Sequence, residues 1–79
     1  MFLLYGLTGC PHCTRAENIM KDLKRKYKIP YQRHNMRNNQ EKEYFKRKNK
    51  MQTFPQIFFI KGKDIIKIGN ADQLEKLVY

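Results

Sequence analysis

Pro11 fixes the start of the longest periodic segment in this chain. A proline suits the first position of a helix, where its missing N–H would go unpaired anyway and its backbone angle is already helical. From Pro11 to about Tyr27 the residues Ala16, Ile19, Met20, Leu23 and Tyr27 recur at i, i+3, i+4, i+7 and i+11 and predict one buried helix face. Arg15, Glu17, Asp22, Lys24, Arg25 and Lys28 fall on the other face, with Glu17 to Lys21 and Asp22 to Lys26 in the favourable i, i+4 order. The proline stands inside Cys10-Pro11-His12-Cys13, which holds the only two cysteines of the chain. Cys10 is thereby expected at the helix N-terminus, where unpaired N–H groups and the positive end of the macrodipole favour a thiolate, the reactive form of cysteine. Cys13 follows about one helical turn later on the same side, within reach of a small disulfide.

The remaining segments surround this one. Phe2-Leu3-Leu4-Tyr5, ended by Gly6, reads as a buried strand, and Leu7-Thr8-Gly9 as the turn that delivers Cys10 at its C-terminal end. Ile29-Pro30 stops the helix, and Tyr31 to about Asn35 reads as a polar strand near a sheet edge, since Pro30 has no N–H to give. His34 on that strand is read as a surface residue. Asn38 followed by Glu41 resembles a capping box opening a second helix through about Asn49, with Tyr44, Phe45 and the stem of Lys48 as its inward stripe. After the tight segment Gln52-Thr53-Phe54-Pro55, Gln56 to Ile60 and Asp64 to Ile68 form an apolar hairpin around Lys61-Gly62-Lys63. Gly69-Asn70-Ala71-Asp72 caps a last helix carrying Leu74, Leu77 and Val78. The order βαβαββα predicts an α/β domain over residues 1–79, a four-stranded mixed sheet with three helices, its first two strands parallel and its last two antiparallel.

Composition narrows the function classes. No run approaches the twenty apolar residues of a membrane span, and no charged-then-apolar leader opens the chain, so an intracellular, cytoplasmic setting without membrane contact is expected. In such a reducing setting a lone C-x-x-C is catalytic or metal-binding rather than a standing disulfide. A zinc site needs four ligands, and only His12 and His34 could join the cysteines, with His12 locked between them; no metal is expected. The chain carries 17 Lys and Arg against 7 Asp and Glu, a net charge of +10, spread along its length without a nucleic-acid-binding motif. A solvated basic surface that steers acidic partners is the expected reading. What remains is thiol–disulfide exchange, in which Cys10 attacks, Cys13 resolves and the imidazole of His12 tunes the thiolate.

Three motifs then carry a resemblance that runs the length of the chain. The strand Leu3-Leu4-Tyr5 leading to Cys10-Pro11-His12-Cys13, the segment Thr53-Phe54-Pro55-Gln56-Ile57-Phe58, similar to a T-V-P-Q-I-F pattern, and the turn Gly69-Asn70-Ala71-Asp72 together resemble the glutaredoxins. The resemblance implies the thioredoxin fold, a cis bond before Pro55, and a glutathione-dependent oxidoreductase that acts as a monomer on protein disulfides or glutathione mixed disulfides. It further implies that Thr53, Phe54 and Pro55 present the substrate, while Asp72, with Gln73 at the family's Asp position, receives the γ-glutamyl group. Leu7 stands where the family commonly has Lys or Arg, Asn70 where it has a second glycine, and His12 where it has Tyr. These departures leave room for Arg15, Lys50 or Gln52 as replacement contacts. They also leave room for a thioredoxin reductase as electron donor and a dedicated client such as ribonucleotide reductase.

Overall fold

Phe2, Leu4 and Gly6 alternate along the first strand and turn one way, towards the helix that follows, which sets the face on which the core is built. The computed structural model describes residues 1–79. Strand β1 (Phe2–Gly6) leads to helix α1 (Pro11–Tyr27), which crosses over so that β2 (Tyr31–Asn35) pairs with β1 in parallel, Leu4 opposite Arg33. Helix α2 (Asn39–Asn49) connects to β3 (Gln56–Lys61), antiparallel to β1 on its other side, and β4 (Asp64–Gly69) completes the hairpin before α3 (Ala71–Val78). The sheet order β2-β1-β3-β4 puts the polar strand at an edge, as Pro30 predicts.

The core lies between the sheet and the pair α1 and α3: Phe2, Leu4 and Ile57 from the strands meet Ala16, Ile19, Met20 and Leu23 of α1 and Ala71 and Leu74 of α3. Burial of such aliphatic side chains contributes roughly 1.5–3 kcal/mol each, so this cluster is the main support of the sheet–helix layer. Helix α2 covers the opposite face far more lightly, with no buried residue. Phe45 is its aromatic anchor, ring to ring against Tyr5 at 4.6 Å, and Tyr5 in turn meets Phe58 at 5.9 Å and His34 at 5.7 Å.

Several expected details change. Tyr44 is exposed rather than inward, edge-on to Phe45 and beneath Lys48, because successive helical residues point about 100° apart and only one of the pair can face the sheet. For the same reason Leu77 is exposed while Leu74 is buried and Val78 half-buried. Tyr27 is also exposed; the helix ends with it and the chain turns away at Lys28. Only half of the expected capping box forms on α2: the Asn38 side-chain oxygen accepts the Glu41 N–H at 2.9 Å, but the Glu41 carboxylate turns to Arg37. Nor does α1 use its i, i+4 pairs, since Asp22 binds Arg25 and Glu17 binds Arg33 across to β2. Arginines thus take most of the acids, Arg15 holding both Asp72 and Glu75, and among the lysines only Lys46 has an ion-pair partner, Glu43 at 3.8 Å.

Helices α1 and α2 both end on a lysine in the left-handed region, Lys28 at φ 59° and Lys50 at φ 54°. An L-residue there costs about 1–2 kcal/mol that glycine avoids. Lys28→Gly is therefore expected to stabilise the protein by about 1 kcal/mol in urea unfolding, with an unchanged denaturant slope.

Candidate active site

The loop Leu7–Gly9, with Gly9 at φ 72°, turns the chain from the end of β1 into α1 and leaves Cys10 as the N-cap residue in extended conformation. Its Sγ accepts the N–H of Cys13 at 3.2 Å, and its carbonyl accepts the Thr14 N–H at 3.0 Å and the Thr14 hydroxyl at 3.2 Å. An oxygen of Ser, Thr, Asp or Asn usually fills this acceptor role. A thiolate fills it better than a thiol, because a charged acceptor roughly doubles the strength of the bond and meets the helix dipole favourably.

Cys13 is the opposite kind of cysteine. It is fully buried behind Gly6, where any β-carbon would stand 3.1 Å from its Sγ, so the close approach of strand and helix favours glycine. Burial, together with the contact from Cys10, pushes its thiol up to about 11; a backbone hydrogen bond from Leu7 and the charge of Arg33 pull weakly the other way. Both thiols are free. The half-exposed sulfur at the helix pole is thus the accessible one, and its neighbour is held back in reserve.

Beside α1 lies a groove of about 290 Å³ lined by His12, Arg15, Thr53, Phe54, Pro55, Asn70, Ala71 and Asp72. The Phe54–Pro55 bond is cis, and Pro55 is buried. Gln56 is buried next to it, its side-chain oxygen accepting from Asn49 at 3.0 Å, which ties the proline segment to the C-terminus of α2. Arg15 donates to Asp72 at 2.6 Å and to Glu75 at 3.0 Å, and its guanidinium lies 3.4 Å from His12 Nδ1. That hydrogen bond and the nearby charge hold the Asp72 carboxyl below its ordinary value. No hydrogen bond joins His12 to Cys10; the imidazole faces the groove with Arg15.

Other residues singled out in the sequence lie elsewhere. Gln73 does not line the groove: its side-chain oxygen accepts the Asn70 N–H at 2.8 Å and its own N–H goes to Asn70 at 2.9 Å, a capping box pressed so closely on Gly69 that a side chain there would displace the Gln73 amide. Lys50 and Gln52 are exposed and outside the groove, and His34 is exposed against Tyr5. No three His, Cys, Asp or Glu side chains cluster as metal ligands.

Two residues beneath the site escape a reading by periodicity. Arg33 of β2 donates to the Leu7 carbonyl at 3.0 Å, to Glu17 at 2.9 Å and to Asn35 at 2.8 Å, and the Tyr31 hydroxyl donates to Glu17 at 3.0 Å. Glu17 is therefore not on a solvated face; only 22% of its side chain is exposed, and the hydrogen bond from Arg33 holds its carboxyl below the ordinary 4.5 against the opposing effect of burial. The signal lies in the alternation of Tyr31, Arg33 and Asn35, which share a face with Phe2, Leu4 and Gly6 of the neighbouring strand.

Comparison with known proteins agrees with this geometry. A family model described as Glutaredoxin matches residues 2–65. The structure of reduced Escherichia coli glutaredoxin superposes with a TM-score of 0.76 at 28% identity, over 98% of this chain and 91% of that one. A buckwheat glutaredoxin–glutathione complex gives 0.72 at 19% identity, over 95% and 64% of the two chains. Glutaredoxin 1 from Francisella tularensis, complexed with cacodylate, gives 0.66 at 19%, over 95% and 87%. The last two are similar in fold alone. The four-stranded mixed sheet with three helices is the thioredoxin fold. No curated protein sequence matches the chain.

Glu17 links the site to pH. Its folded-state carboxyl titrates below 4.5, so its stabilisation is complete above that value and is lost as pH falls through the folded value. In urea unfolding, Glu17→Gln is expected to cost roughly 1.5–3 kcal/mol at pH 7, the worth of a hydrogen bond to a charged group, and the gap to the parent protein should narrow as pH falls below 4.5 and Glu17 is protonated.

Proposed function

Since the chain belongs to the glutaredoxin family and is a thiol–disulfide oxidoreductase with its cysteine pair at Cys10 and Cys13, we propose that it uses glutathione to reduce protein disulfides or glutathione mixed disulfides. The observation that carries the reading is the contrast between the two sulfurs: one an accessible N-cap acceptor, the other fully buried and weakly acidic. The Cys10 thiolate attacks a sulfur of the substrate disulfide, forming a Cys10–substrate bond as the old S–S bond breaks; the released thiolate takes a proton from water. With a protein substrate, Cys13 then loses its proton, attacks Cys10 Sγ and expels the second substrate thiolate, so the substrate gains two electrons and two protons while the pair becomes a disulfide. Glutathione returns those electrons by the reverse exchange.

Charge and shape support the groove as the seat for glutathione. Phe54 offers its backbone beside the cis proline for strand-like pairing with the cysteinyl unit, between Thr53 and Pro55. The γ-glutamyl end carries an ammonium and a carboxylate, and the Arg15–Asp72 pair presents the complementary charges at one end of the groove, with the α3 N-terminus behind them. His12 lines the approach and takes part in thiolate tuning. Residues 1–79 act as one domain, in the cytoplasm, towards acidic partner surfaces; no helix is long and apolar enough to cross a membrane.

A second donor is favoured by one observation. Leu7 supplies no charge and Gln73 is spent on its helix cap, so the groove offers fewer charged contacts than the family pattern implies. A thioredoxin reductase then serves as reductant, with a dedicated client such as ribonucleotide reductase.

Coupled assays with glutathione plus glutathione reductase, against thioredoxin reductase, test the choice, and the first is expected to support turnover. Cys10→Ser should abolish activity in both, whereas Cys13→Ser should keep activity on glutathione mixed disulfides. Arg15→Gln should raise KM for the mixed disulfide about tenfold, the loss of one charged contact, with kcat nearly unchanged. An active Cys10→Ser protein would overturn the assignment.

A further inference from the structure

We propose that Arg33 is the positioning residue of the dithiol: by holding the Leu7 carbonyl and the Glu17 carboxylate together, it sets how readily the buried Cys13 closes on Cys10. The proposal rests on the reading of Cys13 as the resolving cysteine.

Three placements carry it. The Leu7 carbonyl belongs to the loop that delivers Cys10, three residues on, and Arg33 grips it at 3.0 Å. Glu17 lies four residues after Cys13, one turn along the same side of α1, and Arg33 grips it at 2.9 Å. The two segments that hold the two sulfurs are therefore bridged by one guanidinium from a third, and its orientation is fixed by Asn35 at 2.8 Å and by burial, since 19% of its side chain is exposed. A planar fork suits this task, since it binds three acceptors in fixed directions where an ammonium would bind as a point. The backbone N–H of Leu7 also favours ionisation of the Cys13 thiol, so Arg33 holds the carbonyl of the same residue whose N–H bears on the resolving sulfur.

Charge adds to position. The titratable groups that bear on Cys13 are Cys10 and Arg33; Arg33 itself faces Glu17 and Tyr31, with Lys21 adding its field at Glu17. Cys10 disfavours ionisation of Cys13 and Arg33 favours it, which makes Arg33 the sole cation aiding the deprotonation that closure needs. Arg33 does not line the groove, so it makes no contact there with a substrate approaching Cys10.

Rapid-quench mass analysis separates the two steps. Reduced protein mixed with oxidised glutathione forms a Cys10–glutathione adduct, with release of one glutathione. Closure to the Cys10–Cys13 disulfide then releases the second. In Arg33→Gln, adduct formation is expected to stay within about twofold of the parent protein while its decay slows at least tenfold, with the pH profile of decay displaced upwards. Arg33→Lys, which keeps the charge and loses the fork, should fall between them and carries the test if the Gln variant does not fold. Unchanged decay in the folded variants would overturn the proposal, as would equal slowing of both steps, which would mark a purely structural role. An adduct that never decays in the parent protein would instead overturn the resolving role of Cys13.

Discussion

The hydrogen bond from the Cys13 N–H to the Cys10 sulfur is the contact on which the rest of the structure converges. It requires a helix that starts at one defined residue, which Pro11 secures, and an extended backbone at Cys10, which the turn through Gly9 allows. It also requires that α1 be unable to slide. The core residues Ala16, Ile19, Met20 and Leu23 prevent that from below, and Gly6 prevents it from the side by letting β1 come within van der Waals distance of Cys13. Moving the helix by one residue would lift all four core side chains away from the sheet.

What the sequence disclosed follows from the kind of physics each residue obeys. Elements whose formation depends on local signals were legible: the apolar run Phe2–Tyr5, the proline-started helix, the hairpin around Gly62, and the polar edge strand all lie where the pattern places them. So was the sulfur pair, because the position of a cysteine relative to a helix start is a matter of four consecutive residues. Residues whose partners are distant in sequence were not legible. Glu17 and Arg33 are sixteen residues apart and meet only because the crossover between the parallel strands lays α1 over β2, and periodicity alone placed Glu17 in solvent. Gln73 illustrates a local competition: a ligand contact and a helix cap draw on one amide, and the cap lies only three residues away.

The two faces of the sheet divide the labour. The α1 and α3 side holds the aliphatic core, the dithiol and the Arg15 ion pairs, and is built to hold position. The other side is covered by α2 through one phenylalanine, one amide contact from Asn49 to Gln56, and a lysine from β4 donating to the Asn49 carbonyl. Because Gln56 directly follows the cis proline, that light attachment still reaches the wall of the groove, so the proline segment is bounded by a rigid layer on one side and a looser one on the other.

The pairing of arginines with acids leaves the lysines as a nearly uncompensated shell around a net charge of +10. Guanidinium groups are thus spent on fixed internal geometry, and the ammonium groups, on long mobile stems, generate the far field. Such a field extends about 10 Å at 0.1 M ionic strength and collapses to about 3 Å at 1 M. Encounter with any anionic surface is accordingly fast in dilute buffer and slows as counter-ions accumulate, while the closure of the buried Cys13 on Cys10 needs no such encounter.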